Sequence, residues 1–305
     1  RELGMDSLAL TDHGALHAAI DFYSASTSAG IKPIIGIEAY LANGSRHDKS
    51  VADKNPYHIT LLARNNVGYR NLVQLSTKAH LEGFYYKPRL DKELLQEHRE
   101  GIIAFSGCLT GEIPRLIREG RTEDAEKAAR WYQNTMEHFY FEVQHHDNVP
   151  DLLEVNQGLF SMSRDLDIPL VATNDVHAHV PERRRLADVL SCIREHCTID
   201  KAGYRLAANA ERHLKSPDEM VRLFERWPHA IAATRALADN CNFSLDELAY
   251  EYPEEIHPDG QNPQQFLAAE TWKGAAWRYP GGVPEGVRET LERELELIGK
   301  LDLAR

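Results

Sequence analysis

Six short apolar runs recur along the first 180 residues, at 7–11, 33–41, 58–63, 101–106, 139–144 and 169–173. Each is rich in Val, Ile, Leu, Phe or Tyr, and amphipathic stretches separate them. Strands that alternate with helices in this way predict repeated βα units around a parallel sheet. The helical spacing is plainest at 21–29, closed by Gly30 as a C-cap, and at 67–81, where Leu72, Leu75 and Ala79 share a face. It recurs at 121–138 with Ala125, Ala129 and Tyr132. No G-x-G-x-x-G follows any run, which favours a closed or nearly closed α/β barrel over a doubly wound sheet.

In such a barrel the strand C-termini converge on one face, so residues far apart in sequence line one pocket. At or just past these ends stand Asp12 and His13, Glu38, Cys108, His145 and His146, and Asp175 and His177, while His58 opens the third run. Imidazoles, carboxylates and a thiol are the ligand set of divalent zinc, manganese or iron. On an extended strand end, Asp175 and His177 would also point the same way. Taken singly, each has an ordinary role: Asp12 can cap the following helix, Glu38 can be a half-exposed carboxylate, and Cys108 a small buried hydrophobe. Their concentration at one end is what favours a metal.

Composition narrows the partners. With 305 residues, 42% of them hydrophobic, the chain can bury the core of one large domain or two smaller ones. A formal net charge of −12 argues against a general electrostatic grip on nucleic acid, so phosphate recognition would need a local source of positive charge such as bound metal. Cys108, Cys192, Cys197 and Cys241 include no C-x-x-C pair, which argues against a disulfide framework or zinc ribbon and fits a reducing compartment. Cys192 and Cys197 read as helix-packing residues. No apolar stretch approaches the roughly 20 residues that span a bilayer, so the expectation is a cytoplasmic protein with no membrane partner. The opening Arg-Glu-Leu-Gly-Met carries no initiator Met, and the chain is expected to begin inside a domain.

The C-terminal third reads as helical over 180–244, with Leu186, Val189, Leu190 and Ile193 on one face and Met220, Leu223 and Phe224 on another. Proline- and glycine-bearing stretches over 250–284 read as linker-like connections. A last helix at 284–301 carries Val287, Leu291, Leu295 and Ile298 in one stripe, as a surface helix whose partner domain is elsewhere.

In order along the chain, "LALTDHG", "GIKPIIGIEAYL", "YHITLLARNNVGYRNLVQLSTKAHLEGFYYKPRLD", "GIIAFSGCLTGEIPRLI" and "LVATNDVHA" resemble the PHP (polymerase and histidinol phosphatase) domain of bacterial DNA polymerase III α subunits. "ADVLSCIREH" and "VPEGVRETLERELELIGKLDLA" are similar to the segments that close that region and lead into the palm. The resemblance implies a distorted seven-stranded (β/α) PHP barrel, TIM-like, followed by a helical C-terminal segment. It implies a PHP domain over 1–245, as a barrel at 1–180 and closing helices at 181–245, with 246–305 as linker and helix into the palm. On the family pattern His13, Glu38, His58, Cys108, Asp175 and His177 are metal ligands and Asp12 orients its neighbours; His145 and His146 lie near the pocket, with neither assigned as a ligand. The family's first H-x-H-T motif is absent, so the chain is expected to be a fragment lacking the first strand.

The activity so implied is a metal-dependent phosphoesterase, in the form of a 3′-5′ exonuclease or a pyrophosphate-cleaving site. The full-length protein would be a DNA-directed DNA polymerase with Mg at its palm, working with DNA, a sliding clamp and a proofreading exonuclease. The alternatives are a catalytically silent scaffold that docks that exonuclease, and a stand-alone PHP phosphatase.

Overall fold

All six apolar runs are strands in the computed structural model, which describes residues 1–305 except 52–53, 147–148, 204–205, 207–208, 248–259 and 305. They are β1 (Ser7–His13), β2 (Lys32–Leu41), β3 (Tyr57–Ala63), β6 (Ile102–Phe105), β7 (His138–Gln144) and β8 (Leu170–Thr173). Two shorter strands, β4 (Phe84–Tyr85) and β5 (Lys87–Leu90), form a hairpin that the sequence reading did not anticipate. The ladder runs β4-β5-β2-β3-β6-β7-β8, and β1 pairs with β2. Because β5 meets β2 only at Tyr40 and Leu41, β1 takes the rest of that edge, from Lys32 to Glu38. Among the described residues no ladder joins β1 to β8, and a groove of about 1060 Å³ runs between them toward a later helix.

The sheet is mixed, where repeated βα units predicted a parallel one. β3 runs antiparallel to both β2 and β6, while β1–β2, β6–β7 and β7–β8 are parallel. The physical reason lies in the connection: residues 42–56 contain no α-helix among those described, and a parallel return needs a crossover of that kind. This reversal carries a benefit for the site. The start of β3 lies at the same end as the finish of its neighbours, so His58, which opens its run, joins the candidate ligands that close theirs.

Helices α1 (Ala19–Ser28), α2 (Asn66–Leu81), α3 (Lys92–Glu97), α4 (Glu112–Arg118), α5 (Thr122–Thr135) and α6 (Pro150–Leu166) fall between the strands. The faces match the periodicity: α2 buries Leu72, Leu75 and Ala79, and α5 buries Ala125, Ala129 and Tyr132. Gly30 ends α1 with φ +65°, its N–H bonding Thr27 O at 2.9 Å while Ile31 N–H bonds Ser26 O at 2.8 Å. The core gathers Ile35, Ile37, Leu61, Leu72, Leu75 and Phe141, all 2% exposed or less, and burying each such side chain contributes about 2 kcal/mol.

Beyond β8 come α7 (Arg184–Arg194), α8 (Ile199–Ala202), α9 (Pro217–Leu223) and α10 (Pro228–Asn240). Phe224 after α9 is buried and Met220 and Leu223 pack against the core, but the α7 stripe of Leu186, Val189, Leu190 and Ile193 stays exposed. All four cysteines are free, with Cys192 buried in α7. Contacts divide the chain into Arg1–Leu245 and Asp246–Arg305. In the second unit α11 (Pro263–Arg278) and α12 (Glu285–Lys300) pair: Gln264 Nε2 donates to Leu295 O at 2.7 Å, and the Arg288 guanidinium lies 5.4 Å from the Trp272 ring centre. Val287, Leu291, Leu295 and Ile298 are its half-buried stripe. Most of the linker-like stretch before α11, residues 248–259, lies outside the described residues.

Candidate metal centre

β1 ends on His13, and β2 sets Glu38 beside it, because the two strands pair in parallel with these residues in register. The antiparallel β2–β3 ladder places His58 opposite Tyr40, two residues from Glu38. Side chains two apart share a face, so all three converge. His58 Nδ1 lies 2.6 Å from Glu38 Oε1, and His13 Nδ1 lies 3.2 Å from Glu38 Oε2. One ligand atom from each of the three falls within 4.8 Å of the others, a spacing that suits one ion.

Cys108 joins them from the loop after β6. Its Sγ lies 3.9 Å from Glu38 Oε1, 4.0 Å from His58 Nδ1 and 3.0 Å from Thr110 Oγ1. The loop is tied to β3 by the His58 N–H, which bonds Thr110 O at 3.2 Å, and by a bridge between His58 and Gly111. Gly107 makes the turn with φ +80°, and a Cβ there would sit 2.6 Å from His58 O.

Asp175 and His177 reach the site differently from the extended strand end the sequence suggested. β8 stops at Thr173, and Asp175 has φ +44°, a left-handed backbone that a non-glycine residue holds at some cost. His177 Nδ1 bonds Asp175 O at 2.7 Å, and the His177 ring lies 6.1 Å from that of His13. Arg212 pairs with Asp175 Oδ2 at 3.0 Å. Asp12 faces elsewhere: its Oδ2 accepts the Ala18 N–H at 2.8 Å and steadies the turn into α1.

Two buried groups near the centre were not assigned a role from the sequence: His146, placed near the pocket but left unassigned, and Glu142. His146 is 7% exposed, and neither ring nitrogen has a hydrogen-bond partner among the described residues. Burial, then the charge of Arg212, pushes its pKa down to about 4, which leaves a neutral imidazole with free lone-pair capacity. Glu142 stands on β7, buried, and accepts from Thr173 Oγ1 at 2.6 Å, Thr60 Oγ1 at 3.1 Å and Gln144 Nε2 at 3.1 Å. Burial raises its carboxyl to about 7. An acid inside the apolar run "FYFEVQ" was the available signal. His145 instead lies 6.5 Å from the Phe224 ring.

The electrostatics suit a cation. Burial would raise Glu38, but the His58 hydrogen bond and the neighbouring imidazoles hold it below the usual carboxylate range. Burial, with the Glu38 charge, pushes the Cys108 thiol up to about 12. A cation is the missing charge that would ionise this thiol. The donors present therefore fit a divalent metal.

The PHP domain family model matches residues 1–146, and so takes in His13, Glu38, His58, Cys108 and the buried Glu142 and His146. That match places the centre in a metal-dependent domain of the hydrolase type. Over 92% of its length the chain is 40% identical to DNA polymerase III subunit alpha of Borreliella burgdorferi, covering 25% of that protein. It is 39% identical to the DNA polymerase III subunit alpha of Thermus aquaticus over 97% of the chain and 25% of that relative. The error-prone DNA polymerase of Symbiobacterium thermophilum is 37% identical over 98% of the chain and 28% of its own length. Residues 1–146 match the PHP domain, and the chain as a whole is similar to the part of DNA polymerase III alpha subunits that carries it. The chain spans about a quarter of the length of these relatives.

Proposed function

We propose that the chain is the PHP portion of a bacterial replicative DNA polymerase and that its site is a metal-dependent phosphoesterase acting on DNA 3′ ends. The observation that carries this reading is the convergence of His13, Glu38, His58 and Cys108 in a chain so similar to DNA polymerase III alpha subunits. We assign these four residues, with Asp175 and His177, as the holders of zinc, manganese or iron. A bound ion supplies charge neutralisation for phosphoryl oxygens and an activated water. Glu38, kept ionised by His58 and His13, holds the imidazoles toward one point. Asp12 fixes the turn from which His13 projects.

We further propose that Arg1–Leu245 is one PHP unit, a barrel at 1–180 with closing helices, and that 246–305 leads toward a polymerase palm holding Mg. A seventh barrel strand between β1 and β8, bearing the family's H-x-H motif, would complete the sheet; the unpaired edges of both strands and the groove between them support this. Polymerisation, cytoplasmic location and work with DNA, a sliding clamp and a proofreading exonuclease belong to the same reading. Among the described residues no helix is long and apolar enough to cross a membrane.

One observation favours a second reading, a silent scaffold that docks a proofreading exonuclease: Arg212 occupies one oxygen of Asp175, a proposed ligand. A paired test separates the two. Metal content and 3′-5′ hydrolysis of an oligonucleotide are measured for the full-length polymerase that carries this chain and for its Asp175→Ala, His177→Ala double variant. Loss of both metal and hydrolysis in the variant supports the phosphoesterase; equal hydrolysis overturns it.

A further inference from the structure

The hairpin of β4 and β5 stands against the metal centre, and the metal reading makes no use of it. Pro88 packs so near the His13 turn that a Cβ on Gly14 would lie 2.9 Å from its Cγ. Tyr40 is the bridge between the two: its ring lies 5.1 Å from that of His58 and 6.2 Å from that of His13, and Lys87 Nζ stands 5.2 Å from its centre.

The tip presents aromatic surface held in a costly conformation. Tyr86 is 64% exposed and Phe84 is 54% exposed. Tyr86 has φ +59°, where glycine would be the relaxed choice, and such strain persists only when the surroundings impose it. The root of the hairpin does so. Arg89 is fully buried, donating from Nε to Gly83 O at 3.0 Å and from Nη2 to the carbonyls of Arg46 and Asp48 at 2.9 and 2.7 Å. Arg46 in turn bonds Glu82 at 2.8 Å and Asp91 at 3.0 Å. Lys54 places its ammonium 4.9 Å from the Tyr86 ring centre. Among the described residues neither Lys54 nor Lys87 is in an ion pair, in a chain of net charge −12.

An exposed, pre-set aromatic ring with the Lys54 ammonium against it, and the Lys87 ammonium on Tyr40 on the way to the site, is the chemistry that receives a base on a π-face and phosphates along its path. We propose that Tyr86, Lys54 and Lys87 form a single-stranded nucleic-acid platform that leads a strand end past Tyr40 to the metal centre. This rests on the phosphodiester reading of that centre. The lysines here are the local positive charge that the acidic composition otherwise withholds. An acidic peptide would engage the same lysines but gain nothing from the Tyr86 ring, so the platform favours nucleic acid.

The test is binding of a fluorescein-labelled oligothymidylate of about 12 nucleotides to the full chain, freed of metal by chelation so that nothing is cleaved, read by anisotropy at several salt concentrations. Wild type is expected to bind, more weakly as salt rises. Tyr86→Gly is expected to bind about tenfold more weakly while melting no lower than wild type, because glycine accepts the positive φ. Tyr86→Phe should retain binding, and Lys87→Gln should reduce the salt slope by about one. The proposal is overturned if wild type binds no oligonucleotide, if Tyr86→Gly binds like wild type, if blunt duplex binds as tightly, or if polyglutamate competes equally well. Hydrolysis of bis(p-nitrophenyl) phosphate by metal-loaded wild type reports the metal centre separately, so the two readings can fail independently.

Discussion

Glu142 shows how much of this site rests on single enclosed groups. Its carboxyl titrates near 7 in the folded chain against an ordinary 4.5, because burial disfavours the charged form. A raised carboxyl pKa means the native state holds a proton that the unfolded state releases, so Glu142 progressively destabilises the fold as pH climbs from about 4.5 to about 7. Glu142→Gln keeps the shape and removes the charge. Urea unfolding of the chelator-treated chain is expected to show the variant gaining on wild type across that window, by up to about 3 kcal/mol at pH 8, and no change below pH 4. A flat difference would mean that the three donors around Glu142 fully offset its burial. His146 carries the opposite sign: its lowered pKa costs the fold stability as pH drops below its ordinary 6.5 toward about 4.

At the scale of elements, the junction between α2 and the turn before β6 is the tightest. A Cβ on Gly68 would run into the backbone carbonyl of Gly101, and Gly101 itself has φ +69°. Gly68→Ala is expected to lower stability by about 3 kcal/mol, read as a fall in melting temperature, although alanine is the better helix former. The apolar runs and the helix faces were legible in the sequence, since Leu72, Leu75 and Ala79 follow the 3.6-residue period that burial enforces. Strand direction was not. His58 at the start of its run looked displaced from the other ligands until β3 proved antiparallel. The β4–β5 hairpin escaped because its strands are two and four residues long, too short for a period to register. Of the site, His13, Glu38, His58 and Cys108 come together, whereas Asp12 serves the backbone of the next turn. His146 was in view but set aside, because nothing in sequence shows that both its nitrogens are enclosed without partners.

For the molecule as a whole, the chain covers only about a quarter of relatives such as the Thermus aquaticus alpha subunit. We predict that these 305 residues alone extend no primer on a primed template, while still retaining stoichiometric zinc or manganese after gel filtration; extension would place the polymerase carboxylates inside this chain. The way the proposed ligands are mounted has a kinetic corollary. Glu38 and His58 belong to interior strands, and the Cys108 loop that follows β6 is laced to β3 through Thr110 and Gly111. His13 sits on β1 and Asp175 and His177 follow β8, and among the described residues no ladder joins these two strands. The first three make a fixed jaw and the last three a latch hung on the open seam. Stopped-flow chelation should then release metal faster in His177→Ala than in wild type, so that exchange with the surrounding metal pool is gated by the seam.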